Sequence, residues 1–153
     1  MQVELISVGK PRDSAAVELH DRYAGRLQRL GVRYRSSWVP EERPGGRFSD
    51  EHVRHRETTL LLERTEKGTL IALDRGGESL DSVALAKRLE RWATPRLTLI
   101  VGGPLGLHPG LLGKACDRWS LSPLTFPHEI VRSLVAEQLY RAMTIVRGVP
   151  YHK

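Results

Sequence analysis

Apolar positions along the chain switch repeatedly between strand-like runs and runs with a helical period. Val3 to Val8 alternates or runs apolar and predicts a buried strand, ended by Gly9-Lys10-Pro11. From Asp13 or Ser14 the spacing becomes helical, with Ala16, Leu19, Tyr23, Leu27 and Leu30 on one stripe and Gly31 as the stop. Val32 to Val39 predicts a second strand, running out into a Pro40–Arg47 loop that has turn residues but no period. Ser49-Asp50 caps a helix through Glu66, and Gly68 closes it. Thr69 to Leu73 is apolar after its first residue, as a strand covered on both faces requires, and Asp74-Arg75-Gly76-Gly77 reads as the loop that ends it. A helix over Asp81 to Ala93 turns Val83, Leu85, Ala86, Leu89 and Trp92 inward and Lys87, Arg88 and Arg91 outward, before Pro95. Leu97 to Val101 is the fourth strand, Gly110 to Cys116 a short helix, and Trp119 to Leu121 the fifth strand.

The stretch from Trp119 to Lys153 organises the rest. Pro123 stops any helix or central strand, because it lacks a backbone donor. Pro127 sits where a helix can start, since the first helical N–H groups have no intrahelical partner to lose. Beyond it, Ile130, Leu134, Ala142 and Ile145 interleave with Val131, Val135, Leu139 and Met143, until Gly148 and Pro150 close the helix. Strands alternating with helices predict right-handed crossovers and a mainly parallel sheet with helices on both faces. No repeat or linker divides residues 1–153, so a single α/β domain is expected. The strand, tight turn and helix start around residues 119–128 form the crevice in which open α/β sheets bind ligands.

Charge adds a kind of partner. A net charge of +6 and an isoelectric point near 9.9 favour a polyanion, and the excess is nearly all arginine, whose planar fork suits phosphate and base edges. Arg22, Arg26 and Arg29 recur at helical spacing opposite the first helix's apolar stripe, with Arg33 and Arg35 just beyond. No acidic residue falls between Arg22 and Arg35, so the row reads either as a solvated face or as a phosphate-tracking surface for nucleic acid. Cys116 is the only cysteine, which rules out a disulfide framework and predicts a small buried hydrophobe. No apolar run approaches the ~20 residues that span a bilayer, and the amino terminus runs straight into a strand pattern. The cytoplasm is the expected compartment, with no membrane partner.

Candidate chemistry gathers after the fourth and fifth strands. Gly102-Gly103-Pro104-Leu105-Gly106 lets backbone approach a ligand, yet it is neither a P-loop nor a well-placed dinucleotide fingerprint. Asp117, Ser120, Ser122 and His128 contain the residue types of a hydrolytic triad, but neither serine lies in a Gly-x-Ser-x-Gly elbow. His128 is of interest singly. At a helix start the dipole disfavours an imidazolium, and a neutral ring accepts a proton or a hydrogen bond. His20, His52, His55 and His108 fall on different elements, so no metal site is expected, and Trp38, Trp92 and Trp119 read as core or interface.

Jointly, Leu-Ile-Val-Gly-Gly-Pro-Leu-Gly-Leu (99–107), Ser-Leu-Ser-Pro-Leu-Thr-Phe-Pro-His (120–128), Val-Arg-Ser-Leu-Val-Ala-Glu-Gln-Leu-Tyr-Arg-Ala (131–142) and the terminal Pro-Tyr-His-Lys resemble the ribosomal large subunit methyltransferase H family. The resemblance covers the whole chain. That family contains the bacterial 23S rRNA pseudouridine N3-methyltransferases. The resemblance implies an α/β knot of the SPOUT class, a carboxyl-terminal trefoil knot and a homodimer. It implies S-adenosylmethionine bound at Leu73, at Gly102, and at Leu121, Ser122, Pro123, Leu124, Thr125 and Phe126. Arg132, Glu137, Tyr140, Arg141, Tyr151 and His152 match family positions that face RNA or the partner subunit. Arg132, Tyr151, His152 and Lys153, with Arg22, Arg26 and Arg29 of the first helix, make up the expected contacts to 23S ribosomal RNA within the ribosome.

The implied reaction is in-line attack by N3 of the base on the sulfonium methyl. Alignment of two reactants contributes roughly 7–11 kcal/mol to such a step. N3 carries a proton that some group must accept, and His128, Arg141 and His152 are the candidates. Two other readings stay open at this stage: a methyltransferase of the same fold acting on another RNA, and a non-catalytic ribosome-binding protein.

Overall fold

The structure is a computed structural model describing residues 1–42 and 47–153; of the expected Pro40–Arg47 loop, residues 43–46 lie outside the described residues. Ten elements follow in order: β1 (Gln2–Val8), α1 (Ser14–Arg29), β2 (Arg33–Val39), α2 (Asp50–Arg64), β3 (Thr69–Ser79), α3 (Ser82–Trp92), β4 (Arg96–Val101), α4 (Pro109–Leu112), β5 (Asp117–Ser120) and α5 (His128–Val146). The strands form one sheet in the order β2-β1-β4-β3-β5, and every pairing is parallel. The alternation of strand and helix along the chain thus becomes the expected parallel α/β sheet.

Four helices start where a side chain can hold an orphan N–H; at α4 it is His108, whose Nδ1 accepts from Gly110 at 3.0 Å. Asp13 accepts from Ala16 at 2.8 Å, Ser49 from His52 at 3.2 Å, and Asp81 from Ala84 at 2.7 Å. α5 has no such cap. Its first turn is held instead by Glu129, whose carboxylate accepts the backbone N–H groups of Arg12 and Asp13 across the fold; these hold it below the usual carboxylate range.

The sheet is covered on both sides, which explains the nearly continuous apolar runs of the inner β4 and the first half of β3, while the edge strands β2 and β5 keep polar residues. Val3, Leu5, Ile71, Leu97 and Leu99 point towards α1, α3 and α5, where Leu27, Leu85, Leu89, Val135 and Leu139 meet them. Ile6, Val8, Ala72 and Ile100 point the other way, to Leu61 on α2 and Leu111 on α4.

Several positions depart from the sequence reading. Leu19 and Val83, expected inward, are 39% and 45% exposed. On α1 the adjoining residue, His20, takes the buried place, with Nε2 3.0 Å from Tyr34 Oη and Nδ1 3.0 Å from Asp21. A histidine that spends its polarity on two fixed partners packs as core, and burial lowers its pKa. α4 is shorter than Gly110 to Cys116, and Cys116 is exposed rather than buried, its backbone N–H bound to Leu70. The Asp74–Gly77 loop is an irregularity inside β3: pairing with β5 shifts between Leu73 and Glu78, and the strand continues to Ser79. A side chain at Gly77 would come within 2.7 Å of the Arg118 backbone, which is why that glycine sits inside a strand.

Candidate functional site

The carboxyl ends of β4 and β5 and the irregular middle of β3 open onto a crevice of about 750 Å³. Leu73, Val101, Trp119, Leu121 and Phe126 give it an apolar floor; the 102–107 turn and the 121–128 turn give it polar walls. Each wall is braced. Gly106 N–H closes on the Gly103 carbonyl at 2.9 Å, and a Cβ on Gly102 would fall 2.9 Å from the Gly106 carbonyl carbon. In the other wall, Ser122 Oγ accepts Leu124 N–H at 3.1 Å, and Arg75 donates to Thr125 Oγ1 at 3.1 Å. His128, the first residue of α5, lines the crevice where that helix begins.

This geometry removes the hydrolytic triad. Ser120 Oγ points at the carbonyls of Arg75 and Ser122, 3.2 and 3.1 Å away, and Asp117 pairs with Arg88. No nucleophile–base pair forms.

Comparison with known proteins gives the family. The family described as predicted SPOUT methyltransferases matches residues 1–152. The chain is 42% identical over 155 residues to a ribosomal RNA large subunit methyltransferase H of Alkalilimnicola ehrlichii, covering 100% of this chain and 99% of that one. It is 41% identical over 158 residues to the protein of the same description from Magnetococcus marinus, covering 97% of each. The chain belongs to the SPOUT methyltransferase family. Among solved structures, a probable methylase family protein from Haemophilus influenzae Rd KW20 shares the fold, with a TM-score of 0.52, 11% identity, and coverage of 99% of this chain and 70% of that one.

Of the cofactor positions implied by the family, Leu73, Gly102, Leu121, Ser122, Leu124, Thr125 and Phe126 all line the crevice; Pro123 does not. The catalytic candidates are split. His128 is at the crevice, whereas Arg141 lies thirteen residues further along α5, roughly 20 Å at 1.5 Å per residue. There Arg141 pairs with Glu137 at 2.6 Å and stacks over Tyr151, its guanidinium carbon 4.7 Å from the ring centre. Glu137 raises the pKa of Arg141 further.

Beyond the helix stop at Gly148 and Pro150 the tail packs back onto the fold. Tyr151 Oη donates to Glu137 at 3.0 Å and lies 3.1 Å from Tyr23 Oη, while its ring meets Tyr140 edge-on at 4.8 Å. Burial, then these two hydrogen bonds, hold its phenol above the ordinary range. His152 and Lys153 are exposed beyond it. Two expected RNA contacts also change character. Arg132 is buried rather than presented at the surface, its guanidinium donating at 2.7 Å to both Ser7 and Ser36, because α5 packs it against β1 and β2. Arg26 lies across the Tyr23 and Tyr140 rings, 5.1 and 5.7 Å from their centres, while Arg22 and Arg29 stay exposed, Arg22 beside Glu18.

Sequence reasoning missed two residues of α2. Arg54 lines the crevice, and Glu57 is buried beneath it, close enough to Gly103 that a Cβ there would lie 3.1 Å from Oε2. Both sit in a run of charge that reads as a solvated helix face. The available signal was the spacing of Val53, Glu57 and Leu61, which puts the glutamate on the apolar stripe.

Burial pushes the Glu57 carboxyl up from 4.5 to about 7; Glu41 and Glu42 add to the rise, and the Glu42 N–H that it accepts at 3.1 Å opposes it. Folded protein therefore holds a proton that the unfolded chain releases, so stability falls as pH climbs from about 4.5 to about 7 and then levels off. Glu57→Gln removes that titration. The variant should gain at most about 3 kcal/mol over the parent at pH 8 and nothing at pH 4, with a flatter profile between. Thermal unfolding across that range checks it; parallel profiles would place the titration elsewhere.

Proposed function

We propose that this chain transfers a methyl group from S-adenosylmethionine to N3 of a pseudouridine in 23S ribosomal RNA, as a homodimer acting on assembled ribosomes. The crevice at the ends of β3, β4 and β5 carries the reading: its lining matches the family's cofactor positions with one exception. Its volume suits a nucleoside-sized ligand. Leu73, Val101, Leu121 and Phe126 offer a purine an apolar surface, and one buried donor at its wall, Arg54 Nε, has no acceptor among the described residues. These features fit the cofactor.

When bound, S-adenosylmethionine supplies an electrophilic methyl group. The protein's part is to hold the base in line, exclude water and favour loss of the N3 proton. His128 is the group at the crevice able to take that proton. Arg141, Tyr151 and His152 lie towards the far end of α5, so in this reading they serve the crevice of a second copy, the Arg141 guanidinium favouring the N3 anion. Leu19 on α1 and Ile130 on α5, 39% and 46% exposed, are apolar residues available to such a dimer. The same reading takes the carboxyl-terminal segment as threaded through a trefoil knot that clamps the 121–126 turn. It requires the cytoplasm, where ribosomes are assembled; no helix among the described residues is long and apolar enough to cross a membrane.

Relatives described as ribosomal RNA large subunit methyltransferases supply the substrate class. The deciding experiment offers the protein radiolabelled S-adenosylmethionine with assembled ribosomes, free 23S RNA and other cellular RNA, and maps the methyl group. Label confined to pseudouridine N3 in ribosomes is the expected result. Label on another RNA, or ribosome binding without label, overturns it.

A neighbouring expectation concerns the exposed arginines. Arg22→Gln with Arg29→Gln should weaken ribosome binding and flatten its salt dependence by about two counterions, leaving cofactor affinity unchanged. Arg26→Gln should instead lower the melting temperature, since it uncovers two tyrosine rings. An unchanged salt slope in the double variant returns that face to solvent.

A further inference from the structure

Arg54 is the only residue of α2 that lines the crevice. Its Nε is buried and has no hydrogen-bond partner among the described residues, and none of their ion pairs involves it. Its neighbours differ. Arg56, two residues on, pairs with Glu42 at 3.1 Å, and Arg75, across the crevice, is committed to Thr125 at 3.1 Å. A guanidinium N–H denied both water and an acceptor is costly, and such a cost is relieved when an anion completes the site.

The shape of the vacant donor says which anion. Nε together with one terminal nitrogen forms a planar two-pronged face that matches a carboxylate or a phosphate, and of these S-adenosylmethionine carries only the carboxylate. Nε is shielded from solvent, and a small ligand inside the crevice reaches it once the Arg54 side chain, which lines that crevice, turns inward. A purine has its own place at the opposite, apolar side, against Leu73, Val101, Leu121 and Phe126. We infer that Arg54 binds the carboxylate of the cofactor's aminoacyl arm, which orients S-adenosylmethionine with its purine on the strand ends and its amino-acid end towards α2. This rests on the cofactor reading above and adds a direction to it.

Two ligands that differ in that arm test it by calorimetry. S-adenosylhomocysteine carries the carboxylate; 5′-methylthioadenosine has the same purine, ribose and sulfur without it. Arg54→Gln should weaken S-adenosylhomocysteine at least about 10-fold and methylthioadenosine less than about 2-fold. Arg54→Lys, which keeps the charge but not the fork, should fall between parent and Arg54→Gln for the first ligand only. Arg54→Lys also carries the test should Arg54→Gln fold poorly. Equal losses for both ligands, or no loss for either, overturn the assignment. Unchanged affinity for both ligands together with weaker, less salt-dependent ribosome binding would also overturn it and give Arg54 to the RNA. If the parent binds neither ligand, the cofactor reading itself falls and takes this inference with it.

Discussion

Gly102→Val should abolish binding of S-adenosylmethionine. The reason lies in the turn itself. A Cβ at residue 102 would stand 2.9 Å from the Gly106 carbonyl carbon and 3.1 Å from the Leu107 side chain, distances that only a shift of backbone relieves. The Gly103–Gly106 hydrogen bond holds that backbone in place, so the strain passes into the crevice wall. A loss of at least about 100-fold in affinity, roughly 2.7 kcal/mol, is expected by calorimetry. Gly102→Ala should give a smaller loss in the same direction, because it adds one methyl rather than three carbons. Ribosome binding through the exposed face of α1 should persist in both. Unchanged cofactor affinity in Gly102→Val would sink the crevice as the cofactor site.

Removing His152 and Lys153 should cut methylation of ribosomes at least about 10-fold, the effect of losing roughly 1.4 kcal/mol of transition-state stabilisation, while the melting temperature stays where it was. Both residues are exposed, so no packing is lost. Cutting one residue further should behave differently. Tyr151 contributes a hydrogen bond to a carboxylate, an edge-on contact with Tyr140 and the ring beneath Arg141. Its deletion should also lower stability, by about 1–3 kcal/mol. Tyr151→Phe separates the two effects: it keeps the ring and leaves Glu137 to Arg141 and Gln138. Full activity in the protein ending at Tyr151 would return His152 and Lys153 to the role of an ordinary charged terminus.

Most of the architecture was legible in the sequence because burial on both faces leaves an unmistakable mark. Leu97 to Val101 and Thr69 to Leu73 are apolar but for Thr98 and Thr69, and each became an inner strand. Side-chain caps marked the starts of α1, α2 and α3. What misled were positions where a local rule met a tertiary constraint. Gly76-Gly77 reads as a loop, yet the close approach of Arg118 makes glycine a requirement within the strand. His20 reads as polar surface because nothing in its own helix shows Tyr34, fourteen residues on, waiting to bond it. At the site, the turns after β4 and β5 were visible through their glycines and prolines. Arg54 was not, since an arginine in a charged helix announces neither its burial nor its lack of an acceptor.

The pairing of α1 with α5 bears on how the chain folds. Ser133 Oγ bonds the Ala16 carbonyl, and Glu129 holds the start of α1, contacts separated by 117 and 116 residues in sequence. Closing so long a loop is entropically slow, and contacts of this kind reward the chain only once nearly everything between them is in place. During synthesis from the amino terminus, α5 emerges last. Until then the side of the sheet it shares with α1 and α3 is covered only in part, and Leu27 and its neighbours lack their α5 partners. Nascent or truncated chains lacking α5 should therefore be sticky intermediates that depend on chaperones, and the docking of the last helix is the step that makes the molecule both soluble and competent.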